Sequence, residues 1–293
     1  MNGIQPEFEE LRPYLMGLAY RILGSRSDAE DAVQDTWLRL QKHQQQPDNI
    51  KAWLTRVCTN ICLDSLRKLK RERQNYDGPW LPDPVCMPAD ISPSGPELAE
   101  SLQLAYLLLL ERLTPTERAS FLLHDVFGYS FAEIASILKT DIQTSRQHAS
   151  RARKHLKANK TRFDTSHEDI ATLGLHVQKA LAQGDIAGMV RHLASDVELW
   201  ADGGGKALAA RNVIVGPEKV AAFFAGIYRK SPDDMTAAHE LVNGQPSIRI
   251  LDQEGQTVSL LTISCNSDGK INYVMAHRNP DKLNMFNART NLI

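Results

Sequence analysis

The sequence is poor in the residues that carry the commonest kinds of chemistry. Four cysteines, Cys58, Cys62, Cys86 and Cys265, stand among 293 residues, too few and too scattered for a disulfide-stapled scaffold. Cys58 and Cys62 lie one helical turn apart, but no second Cys or His pair completes a zinc site nearby. They read as small buried hydrophobes, and no metal is expected. The longest apolar run, Leu104 to Leu110, falls far short of the roughly 20 residues that cross a bilayer. No basic start precedes an apolar stretch at the N-terminus, so a soluble, cytoplasmic chain without membrane contact is the expectation. The net charge is -1, which excludes a uniformly basic nucleic-acid binder and leaves only local patches for phosphate contact. No paired acid-base or nucleophile-base spacing is visible, so neither catalysis nor a cofactor is expected.

What is present starts with Ser130 to Leu156, SFAEIASILKTDIQTSRQHASRARKHL. Ser130 with Glu133 forms a capping-box start, and Phe131, Ile134, Ala135, Ile137 and Leu138 recur at helical spacing. After Lys139 and Thr140, Asp141 is placed to cap a second helix with an inner stripe of Ile142, Ser145, Ala149, Ala152 and Leu156. Its outer face carries Arg146, Gln147, Ser150, Arg151, Arg153 and Lys154. From Lys139 to Lys160 seven basic residues face Asp141 alone. A packing helix, a tight turn and a basic second helix are what a helix-turn-helix needs to enter a major groove; a merely solvated amphipathic helix is the plainer reading.

Upstream, Phe8, Leu11, Leu15, Leu18, Ala19 and Ile22 mark a core helix. The next, SRSDAEDAVQDTWLRL, sets Asp28, Glu30, Asp31 and Asp35 outside and Ala32, Val33, Trp37, Leu38 and Leu40 inside. Such acid is either dipole-stabilising or a dock for a basic partner. A third helix from Ala52 to about Glu72 ends in the basic RKLKRER. Trp53, Arg56 and Asn60 could line a surface on which unpaired bases stack. Residues 74–96 hold six prolines (79, 82, 84, 88, 93, 96) and read as a semi-rigid tether, with a reach of roughly 75 Å when extended. An apolar helix around Leu102 to Leu113 and a helix start at Thr114 and Pro115 follow.

After about Ser166 the pattern changes. Helices from Ser166 and Asp185 precede VELWADGGGK, a helix from Pro217 to Tyr228, and the strand-like runs IRILD, TVSLLTISC and INYVMAH. Helices followed by an antiparallel sheet make an α+β domain. DGGGK lacks the spacing of a phosphate-binding loop, so its glycines serve a sharp turn or a close backbone approach.

In the order of its segments the chain resembles the bacterial extracytoplasmic-function sigma factors. DAEDAVQDTWLRL is similar to their region-two helix. The resemblance implies core RNA polymerase as partner of Asp28, Glu30, Asp31, Asp35 and Trp37, and minus-ten promoter DNA as partner of Lys51, Trp53, Arg56 and Asn60. LTPTERASFLLHDVFGYSFAEIASIL with SRQHASRARKHL resembles region four. Minus-thirty-five contacts are implied for Arg146, Gln147, Ser150, Arg151, Arg153 and Lys154. Lys139 departs from the pattern, since many such turns carry Gly. WLPDP (Trp80, Leu81, Pro82, Asp83, Pro84) is similar to the WLPEP signature of the subgroup with a SnoaL-like domain. DGGGK (Asp202, Gly203, Gly204, Gly205, Lys206) and NPDKL (Asn279, Pro280, Asp281, Lys282, Leu283) match its other two signatures.

The resemblance implies two all-α sigma modules, residues 1–73 and 97–160, joined by the linker 74–96, and a C-terminal α+β cone over residues 166–293. The three signatures would then serve interdomain regulation, and the cone could hold a small-molecule effector. Two rival expectations remain: an ordinary helix-turn-helix regulator, and a fusion to an active cone enzyme using Asp202, His239 or His277.

Overall fold

The computed structural model describes residues 4–43, 45, 47–86, 101–158, 173, 185–230 and 235–290. The expected helix from Ser166 to Leu181 and the second half of the proline tether lie outside them. The chain forms two compact units, one of Met1–Asn75 with Pro88–Lys160 and one of Tyr76–Met87 with Thr161–Ile293. The tether is therefore not uniform: Tyr76–Met87 is part of the C-terminal unit.

In the N-terminal unit α1 (Ile4–Leu23), α2 (Arg26–Lys42) and α3 (Ile50–Glu72) pack on one another. Their apolar stripes meet in a core that includes Leu15, Leu18, Ile22, Val33, Leu54, Cys58 and Leu66, all buried. Ser25 and Asn49 cap α2 and α3 by accepting from Asp28 and Ala52 backbone N–H groups. The apolar helix α4 spans only Leu104–Leu110, shorter than the helix expected around Leu102 to Leu113. Gln103 gives it no side-chain cap, and Pro115 holds Thr114 extended (φ -66, ψ 156). Thr114 and Glu117 then form a capping box on α5 (Pro115–Phe121), which widens into a π-turn at Leu122–Val126.

The helix-turn-helix follows as α6 (Phe131–Leu138) and α7 (Ile142–Ala158). Ser130 and Glu133 make the expected capping box, and Asp141 accepts from the Thr144 N–H at 2.7 Å. The corner between them turns on Lys139, left-handed at φ 54 and ψ 47. A side chain strains that conformation and glycine does not. Lys139→Gly should raise stability by about 0.5–1 kcal/mol, read as a higher melting temperature of the intact chain. A lowered one would show that the lysine makes a compensating contact.

In the C-terminal unit, α8 (Ile186–Val190), capped by Asp185, leads into β1 (Leu193–Asp202), β2 (Ile214–Val215), α9 (Pro217–Tyr228), β3 (Thr236–Val242), β4 (Gln245–Leu251), β5 (Thr257–Cys265), β6 (Ile271–His277) and α10 (Pro280–Thr290). The sheet order is β2-β1-β6-β5-β4-β3. It is mixed rather than antiparallel throughout, because β1 runs parallel to β6, with Trp200 opposite Met275 and Asp202 opposite His277. One core joins Leu199, Ala201, Val274 and Ala276 of the sheet to Val220 and Ala221 of α9 and Met189 of α8. α10 packs on β5 and buries Leu283 and Phe286, each contributing roughly 1.5–3 kcal/mol.

Candidate nucleic-acid interface and linker anchor

On α7, Ser145, Ala149, Ala152 and Leu156 face inward and are buried. Ile142, assigned to that stripe from the sequence, is instead 45% exposed. The 3.6-residue period consequently turns Arg146, Gln147, Ser150, Arg151 and Lys154 out to solvent, with Arg153 half-buried. Two of these arginines have partners. The Arg146 guanidinium lies 5.8 Å from the centre of the Phe131 ring, and Arg153 Nε donates to Asp125 at 2.7 Å.

On α3, helical spacing puts Trp53, Arg56 and Asn60 along one stripe and Lys51 about half a turn away. Arg56 is exposed, Trp53 packs against His43 with ring centres 5.0 Å apart, and Lys51 lies over the Tyr14 ring at 4.9 Å. Asn60 Nδ2 donates to its own helix at Arg56 O (2.7 Å) and to Ile137 O of α6 (3.1 Å). Nearby, the hydroxyls of Tyr14, Thr55 and Tyr129 form a hydrogen-bonded group, with Tyr129 at 2.9 Å from Tyr14 and 3.0 Å from Thr55. On α2, Glu30, Asp31 and Asp35 are exposed and Asp28 is half-buried. Glu30 is paired with Arg26 at 2.8 Å. Trp37 packs on Phe8 with ring centres 4.8 Å apart.

A node absent from the sequence reading ties the two helical modules together. Glu111, just after α4, is bridged to Arg73 at 2.6 Å and to the fully buried Arg118, whose Nε donates to Arg21 O at 3.0 Å. Lys70 Nζ donates to the backbone carbonyls of Glu111 and Leu113. Burial opposes ionisation of Glu111, but Arg118 and Arg73 outweigh it and hold the carboxyl below its usual range.

In the C-terminal unit the three signature motifs converge. The Asp202 carboxylate, fully buried at the end of β1, accepts from Tyr76 Oη at 2.6 Å, the Leu81 N–H at 3.0 Å and Lys282 Nζ at 2.9 Å. Lys282 also donates to Leu81 O, reaches Asp83 at 3.5 Å and sits 4.3 Å from the Trp80 ring centre. His277 Nε2 donates to Pro82 O at 2.9 Å. Farther along, Val85 N–H donates to Asn243 Oδ1 and the Asn243 N–H to Val85 O, both at 2.8 Å, and Cys86 pairs with Val242 as an isolated bridge. Residues 76–86 thus form a strap bound to β1, β6, α10 and the β3-β4 turn.

The glycines of DGGGK permit this closeness. At Gly204 (φ +58) a Cβ would stand 2.3 Å from Asn279 Nδ2 and 3.0 Å from Tyr76 Oη, while Asn279 Nδ2 itself donates to Tyr76 Oη at 3.0 Å. Lys206 and Asp281 meet at 2.5 Å but are more than half exposed, so their pair contributes little. Gly205 and Pro280 are exposed, and Pro84 and Leu283 are buried.

His277 offers a pH-dependent readout. Desolvation first, then Lys282, pushes its pKa down from 6.5 to about 4 against the pull of Asp202. Its Nδ1 has no partner among the described residues, so protonation would bury an unmatched charge. Proton binding favours the unfolded state between pH 6.5 and 4. Stability is therefore intact above pH 6.5 and declines as pH falls through that window, by about 3 kcal/mol at most. Urea midpoints against pH should show this decline in the parent and a flatter curve in His277→Gln.

Of the residues considered for cavity chemistry, Asp202 and His277 are engaged by the strap, and His239 is exposed on β3. Among the described residues, no cluster of His, Cys, Asp and Glu is arranged to hold a metal ion, and no helix is long and apolar enough to cross a membrane. Cys58 and Cys62 are both buried, and burial raises the Cys62 thiol pKa.

Comparison with known proteins bears on these faces. Residues 8–72 match the family model for sigma-70 region 2 and residues 103–156 that for sigma-70 region 4. The chain is 35% identical to the ECF RNA polymerase sigma factor SigJ of Mycobacterium tuberculosis, over 94% of this chain and 92% of that one. The chain belongs to the extracytoplasmic-function sigma factors. The crystal structure of SigJ superposes on this sigma factor with a TM-score of 0.72 at 33% identity, covering 95% of this chain and 98% of the other. Probable SigI of the same organism is 34% identical over 54% of each chain. As an alternative sigma factor the protein directs transcription initiation by RNA polymerase. Its C-terminal unit is an α+β domain, a six-stranded mixed sheet with helices.

Proposed function

We propose that this sigma factor reads its promoter with the α7 face (Arg146, Gln147, Ser150, Arg151, Arg153, Lys154) and the α3 stripe (Trp53, Arg56, Asn60, with Lys51 as a phosphate contact). The acidic face of α2 (Asp28, Glu30, Asp31, Asp35) docks on core polymerase, with Trp37 as its packing anchor. The C-terminal unit regulates promoter use by holding the connector between the two helical modules. The observation that carries this regulatory reading is the buried Asp202, which grips Tyr76, Leu81 and Lys282 at once. A connector built into that unit has far less reach than a free proline tether. An effector would act by altering that grip; an active enzyme fusion has no support in a strap seated on Asp202 and His277.

Two measurements in reconstituted transcription test this. Cutting after Asp164 removes Asp202, Asn243, His277 and Lys282, whereas cutting after Leu283 keeps all four. The two truncations should differ in promoter activity, and equal activity of both and of the intact chain would end the regulatory reading. Arg146→Ala should lose about 1–3 kcal/mol of discrimination at one base pair of the minus-thirty-five element, whereas Lys154→Ala should weaken binding evenly and lower the salt slope by about one. Unchanged base preference in Arg146→Ala would remove α7 as the reading helix.

A further inference from the structure

The π-turn at Leu122–Val126 binds one partnered arginine of α7 directly and reaches the other through Phe131, the first residue of α6. His124 stacks on Phe131 with ring centres 4.0 Å apart and planes at 27°, and Arg146 lies over that same ring. His124 is itself fixed, because its Nδ1 lies 2.8 Å from Tyr129 O. The neighbouring Asp125 binds Arg153 through Nε. Arg146 and Arg153 lie two turns apart on one face of α7, the first against the Phe131 ring of α6 and the second against Asp125 of the π-turn.

An unrestrained arginine gives up many rotamers when it binds, and a planar guanidinium must meet its target edge in the right plane. A ring face under Arg146 restricts that plane. A carboxylate on Arg153 Nε leaves both terminal nitrogens for a phosphate. Asp125 is also an anion on a surface that otherwise attracts phosphate, and its charge alone should oppose DNA.

We propose that Phe131, backed by His124, and Asp125 are positioning residues for promoter recognition, which preset the guanidinium groups of Arg146 and Arg153 before DNA arrives. The inference rests on the reading of α7 as the minus-thirty-five helix and goes beyond it, since none of the three residues need touch a base.

The test uses the full chain in holoenzyme with core polymerase, on a promoter fragment selected by the intact protein, with every base pair of the minus-thirty-five element varied in turn. Phe131→Leu keeps apolar volume without the ring face. It should reduce discrimination about 3- to 10-fold at the base pair marked by Arg146→Ala, part of the roughly 5- to 150-fold that about 1–3 kcal/mol for a bidentate arginine represents. The salt slope should stay unchanged and Phe131→Tyr should restore discrimination. Asp125→Ala should weaken promoter binding about 3-fold without weakening binding to unrelated duplex, although it removes a negative charge. Discrimination equal to the parent in Phe131→Leu, or tighter promoter binding in Asp125→Ala, overturns the positioning role while Arg146→Ala still loses base preference. If Arg146→Ala also leaves base preference intact, the reading helix and its positioning fall together. Melting curves of the variants identify any loss that comes from unfolding, and in that case Phe131→Tyr against the parent decides: full discrimination with the ring kept upholds the proposal, and loss despite the ring overturns it.

Discussion

Lys282→Met should cost the C-terminal unit about 3–5 kcal/mol, the usual penalty for removing one partner of a buried ion pair. The lysine side chain is 9% exposed and Asp202 is not exposed at all. Methionine preserves most of the stem packing over Trp80 but, among the described residues, leaves the Asp202 carboxylate with Tyr76 and the Leu81 N–H, two neutral donors. Asp202→Asn should cost less, because an amide oxygen still accepts from Tyr76 and Lys282 retains Asp83 and the Leu81 carbonyl. The measurement is the shift in urea midpoint at constant slope, followed by a probe in the C-terminal unit such as Trp200 fluorescence. A loss below about 1 kcal/mol would mean that water reaches the Asp202 carboxylate in the folded chain, contrary to a buried ion pair.

Glu111→Ala should be equally damaging to the N-terminal unit, by about 3–5 kcal/mol. The carboxylate is the shared counter-ion of Arg73 and Arg118, and the Arg118 side chain has no exposure. Without it, two guanidinium groups face each other across a seam already occupied by Lys70. Glu111→Leu combined with Arg118→Met should cost clearly less than the sum of the single changes, since the pair can be replaced by apolar groups but not halved. Strict additivity would show that the bridge carries no coupling. Acid should mimic the loss: Glu111 titrates below its usual range, so the stability it contributes is present above about pH 4.5 and disappears as pH falls through the lowered folded value.

Local features were legible in the sequence and distant pairings were not. The capping box of Ser130 and Glu133, the cap at Asp141 and the inner stripe from Ser145 to Leu156 each need only neighbours within two turns. All three are found as read, apart from Ile142. The departure of Lys139 from glycine was also visible, and its left-handed backbone gives it a physical meaning. β3, TAAHELV, was missed because alanine, histidine and glutamate suit strands poorly and this one lies at the sheet edge, with its side chains largely exposed. The parallel pairing of β1 with β6 joins segments some seventy residues apart and leaves no local mark.

The strap was half legible. WLPDP, DGGGK and NPDKL stood out as motifs, but their order could not reveal that they bind one another within one unit. Tyr76, which meets Asp202 from far upstream, carried no signal. Asn243 did carry one: Asn-Gly is a hairpin dipeptide, and here the asparagine at φ 52 makes the β3-β4 turn and also receives the strap. Glu111 and Arg118 looked like ordinary charges of a helical segment, since burial is decided by helices that arrive a hundred residues earlier.

The amide of Asn60 has two protons, and both are already placed, one on Arg56 O and one on Ile137 O. An unpaired base that is to accept from that amide must displace one of these two carbonyls, and the longer bond is the one to Ile137 of α6. On the proposed reading of α3, strand capture and contact between α3 and the helix-turn-helix would compete for one amide, and each would lower the apparent affinity of the other by the same factor.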